Sequence, residues 1–165
     1  MKPRLSLKGR ALQWLAQREH SRVELRRKLL RRLRDEARRD PVGAHAAPAD
    51  PPAEVEAVLD WLQAHRYLSD ERFVESRVHA RAARFGNLRI HQELSQHGVE
   101  LTPEIAGELR DSETARAREV RQRKFGSPPA TPADRARQAR FLAGRGFSAE
   151  AVWQVLRGAA EDGAD

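Results

Sequence analysis

Apolar residues recur along this chain at helical rather than strand spacing. Val23, Leu25, Leu29, Leu30 and Leu33 form a stripe close to the 3.6-residue period. Ser21-Arg22-Val23-Glu24 precedes that stripe and has the form of a capping box, in which hydroxyl and carboxylate take up first-turn amides. No alternating runs are joined by an Asn-Gly or Asp-Gly turn, so strand signals are nearly absent. Asp50 before Pro51-Pro52, Thr102-Pro103 and Thr131-Pro132 each set a capping side chain ahead of proline at the first helical position. Ser69 or Asp70, and Ser148, read as further caps. These signals predict nine helices, over 6–17, 21–38, 53–65, 70–84, 87–97, 103–112, 113–125, 132–144 and 148–158. The Ala/Pro stretch 40–52 lacks large apolar groups and reads as a flexible linker.

A degenerate repeat runs through these elements. Leu94, Gly98 and Val99 match Leu142, Gly146 and Phe147 at an offset of 48. Both sets fit a helix end with glycine in the left-handed position and an apolar residue folding back. Arg84-Phe85-Gly86 matches Lys124-Phe125-Gly126 at an offset of 40, and the insertion around residues 127–134 supplies the other eight. Leu25 and Leu29 correspond to Ile90 and Leu94, the linker accounting for the longer offset. The expected architecture is all-α: three tandem three-helix repeats forming an elongated, curved array. The first repeat starts in 1–52 and takes its third helix from 53–69. The second spans 70–112 and the third 113–158, with 159–165 a disordered tail.

Composition narrows the chemistry. With no cysteine among 165 residues, disulfides and thiolate metal sites are excluded. No apolar run approaches the roughly 20 residues needed to cross a bilayer, and Lys8, Gly9 and Arg10 interrupt any signal-peptide core. A soluble, cytoplasmic chain with no membrane partner is the expectation. The six histidines form no ligand pattern and read as solvated or capping residues. Asp70-Glu71 reads as a pair favouring the helix dipole rather than as acid/base machinery. No phosphate-cradling glycine loop or nucleophile motif occurs, so no catalytic residue, metal or cofactor is expected. Most of the nine aromatic residues are assigned to the core.

Charge points to a polyanion. Residues 1–39 carry 14 Lys/Arg against 4 Asp/Glu, while the rest of the chain holds 17 against 20. Such concentration attracts nucleic acid or an acidic protein groove. The candidate contact residues are Arg22, Arg26, Arg27, Lys28, Arg31, Arg32 and Arg34 on the second helix. Arg77, Arg81 and Arg84 form an expected i, i+4, i+7 face with Arg89 beyond the turn. Arg121, Arg123, Lys124 and Arg140 make a later group. Cations spaced in this way carry no base-reading information of their own.

Four blocks in order resemble the RecX regulators of RecA. Arg18-Glu19-His20-Ser21-Arg22 with Glu24-Leu25 and Lys28-Leu29 is similar to that family's opening segment, and Tyr67-Leu68-Ser69-Asp70-Glu71-Arg72-Phe73 to its centre, with Ser69 where an acidic residue is usual. Gly86 to Gly98-Val99 through Arg89-Ile90 and Glu93-Leu94 is similar to the next block. Lys124-Phe125-Gly126 and Arg140-Phe141-Leu142 through Gly146-Phe147-Ser148 resemble the last. The longer linker at 40–52 and the insertion near Pro128-Pro129 depart from the pattern. The resemblance implies three three-helix repeats and binding in the groove of the RecA–single-stranded-DNA filament. It further implies inhibition of ATPase, strand exchange and coprotease activity. The implied partners are RecA and, weakly and without sequence preference, single-stranded DNA, with the protein acting as a monomer. The alternative is an autonomous DNA-binding protein of helix-turn-helix-like units.

Overall fold

A computed structural model describes residues 5–39 and 49–161. Every regular element among these residues is a helix, with no strand: α1 (Leu7–Leu15), α2 (Arg22–Arg39), α3 (Pro51–Ala64), α4 (Asp70–Ala82), α5 (Asn87–Gln96), α6 (Pro103–Phe125), α7 (Pro132–Gly144) and α8 (Ala149–Glu161). The chain divides into two compact units, Met1–Phe73 with His97–Val99, and Val74–Gln96 with Glu100–Asp165.

Local chemistry fixes most of the helix starts. Asp50 accepts from the Ala53 amide at 3.1 Å, Thr131 from Asp134 at 3.1 Å, Ser69 from Arg72 at 3.2 Å and Ser148 from Ala151 at 3.2 Å. Pro51, Pro103 and Pro132 each fill a first-turn position whose missing N–H costs nothing there. Half of the expected capping box forms. Ser21 Oγ accepts from Glu24 N at 3.1 Å, but the Glu24 carboxylate is taken by Arg18 rather than returning to the cap. Asp70 instead accepts the Arg22 amide at 2.8 Å, closing the start of α2 from a residue 48 positions away.

Two expectations change. The helices predicted over 103–112 and 113–125 are one continuous helix, α6, so eight elements replace nine among the described residues. No glycine or proline interrupts Asp111-Ser112-Glu113, and Ser112 Oγ bonds back to the Glu108 carbonyl at 2.7 Å, a contact compatible with unbroken helix. α3 begins at Pro51, inside the stretch read as a linker. Residues 40–48 of that stretch lie outside the described residues, as do 162–165 of the expected tail. α8 continues to Glu161.

In the first unit, α1 packs on α2 and α3, and those two pack on each other. Ala11, Leu25, Leu29, Val55, Leu59 and Leu62 are fully buried at the centre of this core, with Trp14 and Trp61 packed against it. His20 corrects the solvated-histidine expectation: it is 1% exposed. Its Nδ1–H donates to the Arg18 carbonyl at 2.9 Å and its Nε2 accepts from Lys28 Nζ at 2.9 Å. Burial, and the Arg18 and Lys28 charges after it, hold its pKa below the ordinary 6.5 against the opposing pull of the carbonyl bond and Glu24. In the second unit, α6, α7 and α8 pack together and α5 packs on α6. Its core includes Ala117, Leu142, Phe147, Val155 and Leu156. The aromatic residues are not all core: Tyr67 is 49% and Trp153 53% exposed.

The repeat register of the sequence holds in the backbone. Gly98 and Gly146 both take left-handed conformations, φ +68 and +83. Leu94 and Leu142 before them, and Val99 and Phe147 after them, are buried. Gly86 and Gly126 share a sequence context but not a reason. Gly126, at φ +71, is the C-cap of α6, whereas Gly86 is required by a close backbone approach.

Candidate nucleic-acid interface

Helix geometry sorts the cations of α2. Arg22 turns inward to Glu56 (2.6 Å), Asp60 (2.8 Å) and Gln63, and Arg26 joins the same Glu56. Burial alone would lower the Arg22 pKa, but the hydrogen bonds to Asp60 and Glu56 outweigh it and raise it. The same bonds, Arg26 first, hold the Glu56 carboxyl below its usual value. Arg32 pairs with Glu36 one turn on. Lys28 lies 4.4 Å from the Trp14 ring centroid and contacts His20. These four are engaged within the fold. Arg27, Arg31 and Arg34 are exposed, and exposed Arg38 extends them to an i, i+4, i+7, i+11 stripe. Among the described residues no ion pair engages any of the four.

A second cationic group is built by two backbone turns. Gly86 N–H donates to the Arg145 carbonyl and Leu88 N–H to the Gly146 carbonyl, both at 3.0 Å. A Cβ on Gly86 would sit 2.2 Å from Phe147 Cα, and one on Gly146 2.5 Å from Arg89 Cβ. The two glycines therefore permit a backbone contact that gathers arginines around one ring. Arg84, Arg89 and Arg145 hold their guanidinium carbons 5.5, 4.8 and 5.4 Å from the Phe85 centroid. Arg145 also lies 5.2 Å from Phe141, with Lys124 5.9 Å from that ring. Arg84, Arg123, Lys124, Arg145, Val120 and Phe141 line a cleft of about 240 Å³. No carboxylate lines it, and among the described residues none of its cations is ion-paired. Such a cleft offers several unneutralised donors beside one aromatic ring, Phe141, the chemistry of a phosphate-and-base surface.

Half-buried Arg116 and buried Glu113 hold the turns of this site. The Arg116 guanidinium donates to the carbonyls of Ala82 (3.0 Å), Phe85 (2.9 Å) and Leu109 (3.0 Å), and to Asn87 Oδ1. Burial pulls its pKa down, with Glu113 opposing. Glu113, 6% exposed, accepts from the amides of Asn87 (2.9 Å) and Ser148 (3.2 Å) and from Ser148 Oγ (2.7 Å). One carboxylate thus ties the start of α5 to the start of α8.

The expected face of Arg77, Arg81 and Arg84 does not form as a unit. Arg77 and Arg81 both reach Glu93 at 3.1 Å; Arg81 also lies 5.7 Å from the Phe85 centroid, and Arg84 joins the Phe85 cluster without an ion pair among the described residues. Arg121 is 6% exposed and donates to the Ser127 carbonyl at 3.1 Å, so it is a structural residue at the end of α6. Arg140 is exposed on α7.

Comparison with known proteins places this geometry. Two family models match, "RecX, second three-helix domain" over residues 69–101 and "RecX, third three-helix domain" over 111–156. A protein of Leptothrix cholodnii named "Regulatory protein RecX" is 51% identical, over 94% of this chain and 90% of its own length. One of Ralstonia nicotianae with the same name is 48% identical, over 94% of this chain and 89% of its own. The chain belongs to the RecX family. The crystal structure of RecX from Lactobacillus salivarius shares the fold, with a TM-score of 0.61 at 16% identity, over 94% of this chain and 95% of that one. As a RecX-family chain it is a regulatory protein of all-helical repeat architecture. Among the described residues no helix is long and apolar enough to cross a membrane.

Two residues of this RecX chain's cationic surfaces, Arg145 and Arg38, and one that supports them, Arg116, lie outside the candidate residues of the sequence. Arg145 sits in the turn used to find the repeat, between Gly144 and Gly146, and was read for backbone shape rather than charge. Arg38 continues the α2 stripe at i+4 from Arg34, which periodicity alone reveals. Arg116 had no sequence signal, because its partners are carbonyls brought together by tertiary packing.

Proposed function

We propose that this protein binds the RecA–single-stranded-DNA filament and lowers RecA ATPase, strand exchange and coprotease activity. It does so as a cytoplasmic monomer, without cofactor or catalytic step. The observation that carries the reading is that many of the cations the fold leaves without a carboxylate partner among the described residues fall into two groups. One group is the stripe Arg27, Arg31, Arg34 and Arg38, and the other is the cleft of Arg84, Arg123, Lys124 and Arg145, with Arg89 beside it over the Phe85 ring. Cations grouped in this way release counterions from a polyanion on binding. The family name "Regulatory protein RecX" supports regulation as the outcome.

In this reading three helical repeats, 1–69, 70–112 and 113–158, the last two sharing the continuous helix α6, span successive protomers, with cations on DNA phosphates and on acidic RecA surface. Bridging then blocks subunit addition or locks protomers in a non-hydrolysing arrangement. RecA ATPase on single-stranded DNA, titrated with substoichiometric protein, tests it: the rate falls, and an unchanged rate rejects the reading.

A second reading, autonomous duplex binding, draws on the exposed first turns of α5, where Leu88, Arg89, His91 and Gln92 all face solvent. It predicts sequence-preferring binding without RecA, so competition between random and selected duplexes at fixed salt separates the two.

A further inference from the structure

The exposed aromatic group at the end of α3 belongs to neither cationic surface. Trp61 packs on the core of the first unit and carries two further rings. His65 stacks on it at 4.1 Å with an interplanar angle of 26°, and Tyr67 at 5.7 Å with 19°. His65 is fixed by donating its Nδ1–H to the Trp61 carbonyl at 2.8 Å. Tyr67 is set by a turn in which its amide donates to the Leu62 carbonyl at 2.9 Å. That turn runs through Arg66 at φ 59, the one left-handed non-glycine among the described residues.

The left-handed turns after α5 and α7 use glycine, Gly98 and Gly146, which takes this conformation without steric cost. Here an exposed arginine occupies the position, beside a tyrosine that is half in solvent. Lys8 holds its ammonium 3.8 Å from the Trp61 centroid. Among the described residues neither Lys8 nor Arg66 has a carboxylate partner. A rigid ladder of near-parallel rings, open at Tyr67 and flanked by two unpaired cations, matches how single-stranded nucleic acid is held: rings take bases, cations take the backbone.

The geometry points to a nucleobase-stacking subsite at Tyr67 and His65, backed by Trp61, with Lys8 and Arg66 on the flanking phosphates. The inference rests on the nucleic-acid reading above and deepens it, because the cationic stripe and cleft attract phosphates whether or not bases are present. Its ligand is an unpaired base, so duplex DNA is a poor one.

The test needs no RecA, so it is read independently of the ATPase result. The full chain is titrated by fluorescence anisotropy against a labelled 20-residue oligothymidylate, and against an equal-length oligomer whose central residues are abasic. The expected result is about ten-fold tighter binding of the base-bearing strand, the scale of one stacked base. Tyr67→Ala with His65→Ala brings the two strands within two-fold while leaving the salt dependence unchanged, and Tyr67→Phe retains the preference. Circular dichroism checks that each variant keeps its helices. Equal wild-type affinity for the two strands overturns the subsite and leaves phosphate binding standing. A preference that survives the double alanine variant also overturns it. Binding to neither strand overturns both it and the nucleic-acid reading.

Discussion

Replacing Gly86 by alanine tests the claim that one backbone contact assembles the Phe85 cluster. The added Cβ would meet Phe147 Cα and N at 2.2 Å and Gly146 C at 2.3 Å. All three are backbone atoms, so no side-chain rotation relieves the overlap, and the two turns must separate. Separation breaks Gly86 N–H to Arg145 O and Leu88 N–H to Gly146 O, each worth about 0.5–1.5 kcal/mol net. Displacement of neighbours packed to core density adds about 1–3 kcal/mol. The expected loss is about 3–5 kcal/mol, and Arg145 moves away from Arg84 and Arg89. Urea denaturation followed by circular dichroism measures the loss, and Trp153 fluorescence reports on the second unit. Gly144→Ala is the control, since a Cβ there meets nothing within 4 Å; it stays within about 1 kcal/mol of wild type. If Gly86→Ala matched that control, the close approach would not be what holds the turns together.

Two further predictions follow from buried groups. Glu113→Ala strands the Asn87 and Ser148 amides and costs about 3–5 kcal/mol, whereas Glu113→Gln keeps one acceptor oxygen and costs about half as much; equal losses in chemical denaturation would exclude the shared-cap role. His20 has a folded pKa below the 6.5 of its unfolded form, so the unfolded chain binds more protons below about pH 6.5. Stability is therefore full above that pH and falls as pH drops through it, by up to about 1.4 kcal/mol per unit. Urea midpoints at pH 7 and pH 5 should fall further apart for wild type than for His20→Gln, and identical pH dependence would refute the assignment.

What was legible in the sequence was local. Asp50, Thr131 and Ser148 announce their helices because a cap and the amide it serves lie three residues apart. The repeat was legible at Leu94, Gly98 and Val99 because a left-handed glycine between two buried residues is a short-range device. The all-helical class followed from the same signals. The expected break between 112 and 113 in α6 is absent because no glycine or proline stands at Asp111-Ser112-Glu113. The candidate site was less legible because exposure is a tertiary property. Arg22 and Arg27 look alike in the sequence, yet one faces α3 carboxylates and the other solvent. Arg121 and Arg123 are two residues apart and divide the same way. Glu113 and Arg116 gave no sign because their partners come from the starts of α5 and α8 and from the carbonyls around the α4–α5 turn.

The central claim is that the cations left unpaired by the fold are the working surface. Its most direct test is Arg27→Glu, Arg31→Glu and Arg34→Glu combined, with single-stranded DNA affinity and RecA ATPase inhibition measured on the same preparation. The account predicts that both fall together while helix content is unchanged, and that the salt dependence of DNA binding shallows by up to about 0.7 log unit per lost phosphate contact. A triple variant that binds DNA and inhibits RecA as the wild type does would contradict it.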